Sequence, residues 1–113
     1  MPAIDMYQTD NEIVVKASLP GIKADEMQIN VTGDVLTLKG EMKSEEEKTS
    51  SPKGQEKAWH IREQRWGAFE RSVALPVAVV SDKAKAEFEN GILTITLPKA
   101  EEVKPRTITV KAK

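Results

Sequence analysis

The chain contains no cysteine and a single histidine. The first absence excludes disulfides, thiolate metal sites and cysteine nucleophiles. The second leaves His60 without a companion imidazole for a histidine-rich metal site, and between Trp59 and Ile61 it reads as a strand-surface residue. Neither sign of charge is in excess: 17 basic residues meet 18 acidic ones, a formal charge of −1. That balance argues against a dedicated phosphate or nucleic-acid binder and leaves little repulsion to oppose self-association. No apolar run approaches the ~20 residues of a membrane span, and Met1-Pro2-Ala3-Ile4-Asp5 is not a signal peptide, so a cytoplasmic location and no membrane span are expected. The six glycines fall singly at turn positions and form no phosphate-binding loop. Catalysis requires a nucleophile, base or metal in a defensible constellation. The carboxylates are spread along strand faces and loops, so no enzyme, cofactor or metal site is expected. The stretch Trp59-His60-Ile61-Arg62-Glu63-Gln64-Arg65-Trp66 has the rings and cations of a single-strand nucleic-acid platform. Glu56, Glu63 and Glu70 interleave with those cations, however, and the better reading packs the tryptophans against protein.

What is present is a succession of short strands. With 113 residues and 39% hydrophobic content, the chain is one globular domain with a real core. Ile13, Val15, Ala17 and Leu19 recur at period two until Pro20-Gly21 stops them. Ala24-Asp25-Glu26 allows a single helical turn, after which Met27, Ile29 and Val31 alternate with polar residues. Gly33-Asp34 marks a tight turn before Leu36 and Leu38. Phe69, Arg71, Val73 and Leu75 share a face closed by Pro76. The most specific local signal is a hairpin: Ala84, Ala86 and Phe88 alternate up to Asn90-Gly91, then Leu93, Ile95 and Leu97 alternate up to Pro98. Propensity alone reads Lys83 to Asn90 as helix. About eight such strands, separated by turns, predict an all-β antiparallel sandwich.

Two segments break the pattern. Glu41 to Lys57 carries one large apolar side chain, Met42, in 17 residues and reads as a long solvated loop; loops beyond about 12–15 residues are commonly functional or disordered. Lys99 to Arg106 is charged and contains Pro105, and Ile108-Thr109-Val110 then reappears as an isolated strand-like piece. That piece is an edge strand of its own sheet, a frayed tail, or a docking motif. Arg71 is the odd residue by pattern. At the apolar parity of its strand it must meet a carboxylate or lie at an interface, because an uncompensated buried charge costs several kcal/mol.

Taken together, four pieces resemble the α-crystallin domain of the bacterial and plant small heat-shock proteins. Ile4-Asp5-Met6-Tyr7-Gln8-Thr9-Asp10 with Ile13 to Gly21 resembles the family's first strands, and Trp66 to Arg71 through Leu75-Pro76 its arginine-bearing strand. Ala86, Asn90, Gly91 and Leu93 match its A-x-x-x-N-G-x-L signature, and Ile108-Thr109-Val110 matches the C-terminal I-x-I/V motif. The resemblance implies an immunoglobulin-like sandwich over residues 1–98 and a C-terminal extension over 99–113. It implies an ATP-independent holdase chaperone that binds unfolding client proteins; the alternative is a co-chaperone-like module docking a folded partner. It further implies a homodimer in which the 41–57 loop delivers a strand at about 58–65 to the partner, with Trp59, Ile61 and Arg71 at the interface. Larger homo-oligomers then form through Ile108 and Val110, which enter a groove of Met27, Ile29, Val31, Ala84, Ala86 and Phe88. The eight-residue linker Lys99–Arg106 spans at most about 26–29 Å. The family's aromatic N-terminal arm is short or missing here, so client protection is expected only at a molar excess.

Overall fold

The computed structural model describes residues 2–42, 58–61 and 67–113. Seven strands are found among them: β1 (Ile4–Gln8), β2 (Glu12–Ser18), β3 (Met27–Thr32), β4 (Val35–Met42), β5 (Gly67–Ala74), β6 (Lys85–Glu89) and β7 (Ile92–Pro98). They form two antiparallel sheets, one ordered β1-β2-β7-β6 and the other β3-β4-β5. Side chains alternate across a strand, so each strand gives one face to the core. Ile13, Val15 and Ala17 of β2, Leu36 and Leu38 of β4, and Leu93, Ile95 and Leu97 of β7 form the buried centre. This is the all-β sandwich that the alternation predicts.

Val14 departs from the alternation: it faces outward, yet is only 6% exposed and stands outside the central cluster. It lies between Tyr7 of β1 and Thr96 of β7 in register, and cross-strand neighbours on the outer face shield it.

Turn chemistry sets the registers. Asn90 (φ 53°) and Gly91 (φ 77°) both occupy the left-handed region, as a two-residue hairpin between Glu89 and Ile92 requires. That hairpin decides the fate of the 83–90 segment, where the helix reading fails. A single 3₁₀ turn takes Ser81–Lys83, and Lys85–Glu89 pairs with β7, since the strand can bury Phe88 against the core. A second 3₁₀ turn at Ala24–Glu26 is the helical turn anticipated there.

Two boundaries differ from the sequence reading. Glu41 and Met42, expected in the loop, continue β4 because Ala68 and Gly67 of β5 pair with them. The remainder of the 41–57 loop, and residues 62–65 of the candidate exchanged strand, lie outside the described residues. At the other end, attachment to the sandwich persists past Pro98. Lys99 bridges to Val79 and its N–H donates to the Asn11 carbonyl (2.8 Å), while the Ala100 N–H donates to Ala78 (3.0 Å).

Candidate protein-interaction surfaces

β3 and β6 are edge strands of opposite sheets, so a groove runs between them. It holds a cleft of about 400 Å³ walled by Ile29 and Val31 from one side and Ala84 and Ala86 from the other, with Ile95 of β7 also lining it. Asn30, Ser81, Asp82 and Lys85 supply its polar lining. Four of the six groove residues expected from sequence meet here. Met27 and Phe88 instead pack, partly buried, against the core and do not line the cleft. Ile95 was not anticipated in this role, because its apolar parity in β7 signals only core.

A larger open cleft of about 580 Å³ lies at the start of β3. Asp25, Glu26, Glu41 and Glu70 line it together with one lysine, Lys39. Ala68 and Phe69 are its apolar side chains, and the Phe69 ring lies so close over Gly40 that a Cβ there would sit 2.7 Å from Cζ and 2.8 Å from the Glu26 carbonyl oxygen. The sequence alone does not reveal this site because strand register and the Ala24–Glu26 turn assemble it together: Gly40 faces Phe69 and Lys39 faces Glu70.

The C-terminal extension leaves the domain after Ala100. Glu101–Val103 forms a 3₁₀ turn, closed by Lys104 Nζ donating to Glu101 Oε1 at 2.8 Å. That bond and the lysine charge hold the Glu101 carboxyl below its ordinary value. Ile108 and Val110 are 86% and 90% exposed, so within one chain neither enters the groove. Because Ala100 is tied down and 101–103 is coiled, Ile108 reaches at most about 22–24 Å from Ala100. This is shorter than a fully extended linker from Pro98 allows.

Trp59 and Ile61 are both exposed, and residues 58–61 form no regular strand. Arg71 projects inward between Phe69 and Val73 and is half-buried. Its Nη1 donates to the Pro2 carbonyl at 3.0 Å. Among the described residues its partner is therefore a backbone carbonyl rather than a carboxylate. β1, the edge of its sheet, exposes Met6 and Tyr7. Among the described residues no group of three His, Asp or Glu side chains is placed to hold a metal ion, and no helix is long and apolar enough to cross a membrane.

A sandwich with a groove between edge strands β3 and β6 and an exposed I-x-V tail matches one family across almost its whole length. The model of the Hsp20/alpha crystallin family covers residues 5–111. The chain belongs to this family. It is similar to small heat shock protein C2 of Rickettsia felis, at 39% identity over 98% of this chain and 68% of that protein. It is also similar to a 17.8 kDa class I heat shock protein of Arabidopsis thaliana, at 38% identity over 91% and 62%. Among solved structures, heat shock protein 16.0 from Schizosaccharomyces pombe superposes with a TM-score of 0.79 at 31% identity, covering 99% of this chain and 97% of that one. A small heat-shock protein from Xylella fastidiosa gives 0.73 at 31% identity, with the same coverage. The chain spans about two thirds of the length of these curated relatives. Membership in the Hsp20/alpha-crystallin family carries a chaperone role, non-enzymatic action, and the formation of oligomers that bind clients.

Proposed function

We propose that this α-crystallin-domain protein is an ATP-independent holdase: it binds partly unfolded proteins and prevents their aggregation without turning over a nucleotide. The observation that carries this reading is the apolar cleft between β3 and β6, open to solvent and flanked by strands that are each the edge of their sheet among the described residues. Unfolding chains expose apolar segments and unpaired strands, which such an edge groove accepts. The cleft is small, so attachment is weak and promiscuous, which suits many clients rather than one. The similarities above lend no support to a co-chaperone-like role.

The same reading makes Ile108 and Val110 the natural occupants of the groove and the link between subunits. It makes the working unit a strand-exchanged homodimer, with Trp59 and Ile61 as apolar anchors and Arg71 at the interface. One guanidinium N–H of Arg71 serves Pro2, and the group has further N–H donors with which to meet a partner chain. A cytosolic setting belongs to the same proposal.

The test is thermal aggregation of a model enzyme followed by turbidity, with increasing amounts of this chain, with and without ATP. Suppression at a molar excess, equal in both conditions, is the expected result. Suppression that requires ATP, or none at any ratio, overturns the holdase reading.

A further inference from the structure

The chain has three asparagines, Asn11, Asn30 and Asn90, and only Asn90 precedes a glycine. An asparagine side chain can be attacked from its own backbone, when the nitrogen of the next residue closes on the amide carbon. Glu12 and Val31 crowd that nitrogen after Asn11 and Asn30, whereas Gly91 leaves it open. Asn30 also sits inside β3, where pairing with Thr37 holds its backbone. Asn90 is exposed at the tip of the β6–β7 hairpin. The ladder closes at Glu89 and Ile92, so the Gly91 N–H lies within the turn and outside the pairing.

We propose that Asn90-Gly91 is a site of spontaneous deamidation whose product removes one wall of the apolar groove. The Gly91 nitrogen bonds to Asn90 Cγ and gives up its proton, and the side-chain nitrogen leaves as ammonia, closing a succinimide ring. Water then opens the ring. Breaking the bond from nitrogen to Cγ gives aspartate. Breaking the bond from nitrogen to the main-chain carbonyl carbon gives isoaspartate, with the backbone rerouted through Cβ and Cγ. Ring closure pulls Asn90 out of its left-handed turn geometry (φ 53°), so the tip must open first. β6 permits this: it has five residues, and among the described residues β7 is its one neighbour. Gly91 is the held side, because its carbonyl accepts from the Leu19 N–H at 2.7 Å. Heat therefore promotes the reaction twice, through the chemistry and through the opening. The aspartate product keeps the hairpin, since Asp-Gly forms the same turn. Isoaspartate adds a carbon to the main chain between Glu89 and Ile92, and a two-residue turn no longer closes. The register that sets Ala86 against Ile95 and Phe88 against Leu93 is then lost, and Ala84 and Ala86 leave the groove wall. The effect on client binding rests on the holdase reading above; the chemistry at Asn90 does not.

The test ages the full chain in mildly alkaline buffer below its melting temperature, beside a urea-denatured sample and an Asn90→Gly variant. Glycine accepts the left-handed turn but has no amide to lose. Isoaspartate is located by enzymatic methyl labelling with peptide mass mapping, and strand pairing is read by amide exchange. In the folded chain isoaspartate is expected at Asn90 ahead of Asn11 and Asn30, with the signal at this hairpin abolished in Asn90→Gly. Aged chains are expected to lose exchange protection over Lys85–Glu89 while β2 keeps it. A fresh Asn90→Asp variant, which has the new charge without the longer backbone, is expected to retain protection in β6. Earlier labelling at Asn11 or Asn30, or labelling of Asn90 in the denatured sample alone, overturns the site. Isoaspartate at Asn90 with β6 still protected overturns the effect on the groove. Loss of protection in fresh Asn90→Asp also overturns it, since charge would then be the cause. None of these readouts uses a client, so their outcome is separate from that of the turbidity assay.

Discussion

Arg71 shows how one residue can be conspicuous in a sequence while its partner stays hidden. Its parity with Phe69 and Val73 marks it as an inward charge, and inward charges need compensation. The acceptor is the carbonyl of Pro2, 69 positions away, which no composition rule can find. The bond ties the segment before β1 to the opposite sheet. Arg71→Ala removes a charge-assisted hydrogen bond, worth about 1.5–3 kcal/mol. Amide exchange should accelerate first in β1 (Ile4–Gln8), with Arg71→Lys intermediate. Uniform acceleration across β2 and β7 would mean a general loss of stability instead. Gly40 makes the opposite case, a residue that looks unremarkable until Phe69 and the Glu26 carbonyl close around it. Gly40→Ala forces the ring and the Ala24–Glu26 turn apart, and overpacking of this kind costs about 1–3 kcal/mol, measurable as a lower denaturation midpoint.

At the scale of the element, alternation located β2 to β7 well, because each strand buries one face and exposes the other. β1 was visible only through family resemblance; four of its five residues are exposed, so no apolar period marks it. The 83–90 segment shows the limit of propensity, since the Asn90-Gly91 turn and the burial of Phe88 outweigh helix-forming composition. The tail is the element with most at stake. Burying Ile108 and Val110 contributes roughly 1.5–3 kcal/mol each, set against an association cost of 4–15 kcal/mol by common estimates. Single tails therefore hold weakly and several must act together. Ile108→Ala with Val110→Ala is expected to reduce species larger than the dimer, seen by light scattering after size exclusion, while circular dichroism stays unchanged. Full persistence of those species would refute the link.

For the whole molecule the central question is how two sandwiches join. The proposed exchange gives the long hydrophilic loop a purpose, and it gives Trp59 and Ile61, both exposed in the single chain, a surface to cover. Replacing Ser44 to Gln55 with an Asn-Gly turn should fold the strand back onto its own domain and yield monomers. An unchanged dimer mass would count against exchange. The acidic cleft belongs to this scale too, since it exists only where β3, β4 and β5 are aligned and the Ala24–Glu26 turn closes the corner.

By itself the sequence determined the sandwich, the hairpin and the two apolar tail residues. Each is a local matter of side-chain period, positive φ at a turn, or an apolar pair with nothing nearby to pack on. Only the tertiary structure decided that Ile29 and Val31 face Ala84 and Ala86, that Arg71 reaches Pro2, and that Asp25, Glu41 and Glu70 line one cleft. Those contacts join residues up to 69 positions apart. Strand order and register set them, and both follow from how two sheets bury their apolar faces together rather than from any short stretch of chain.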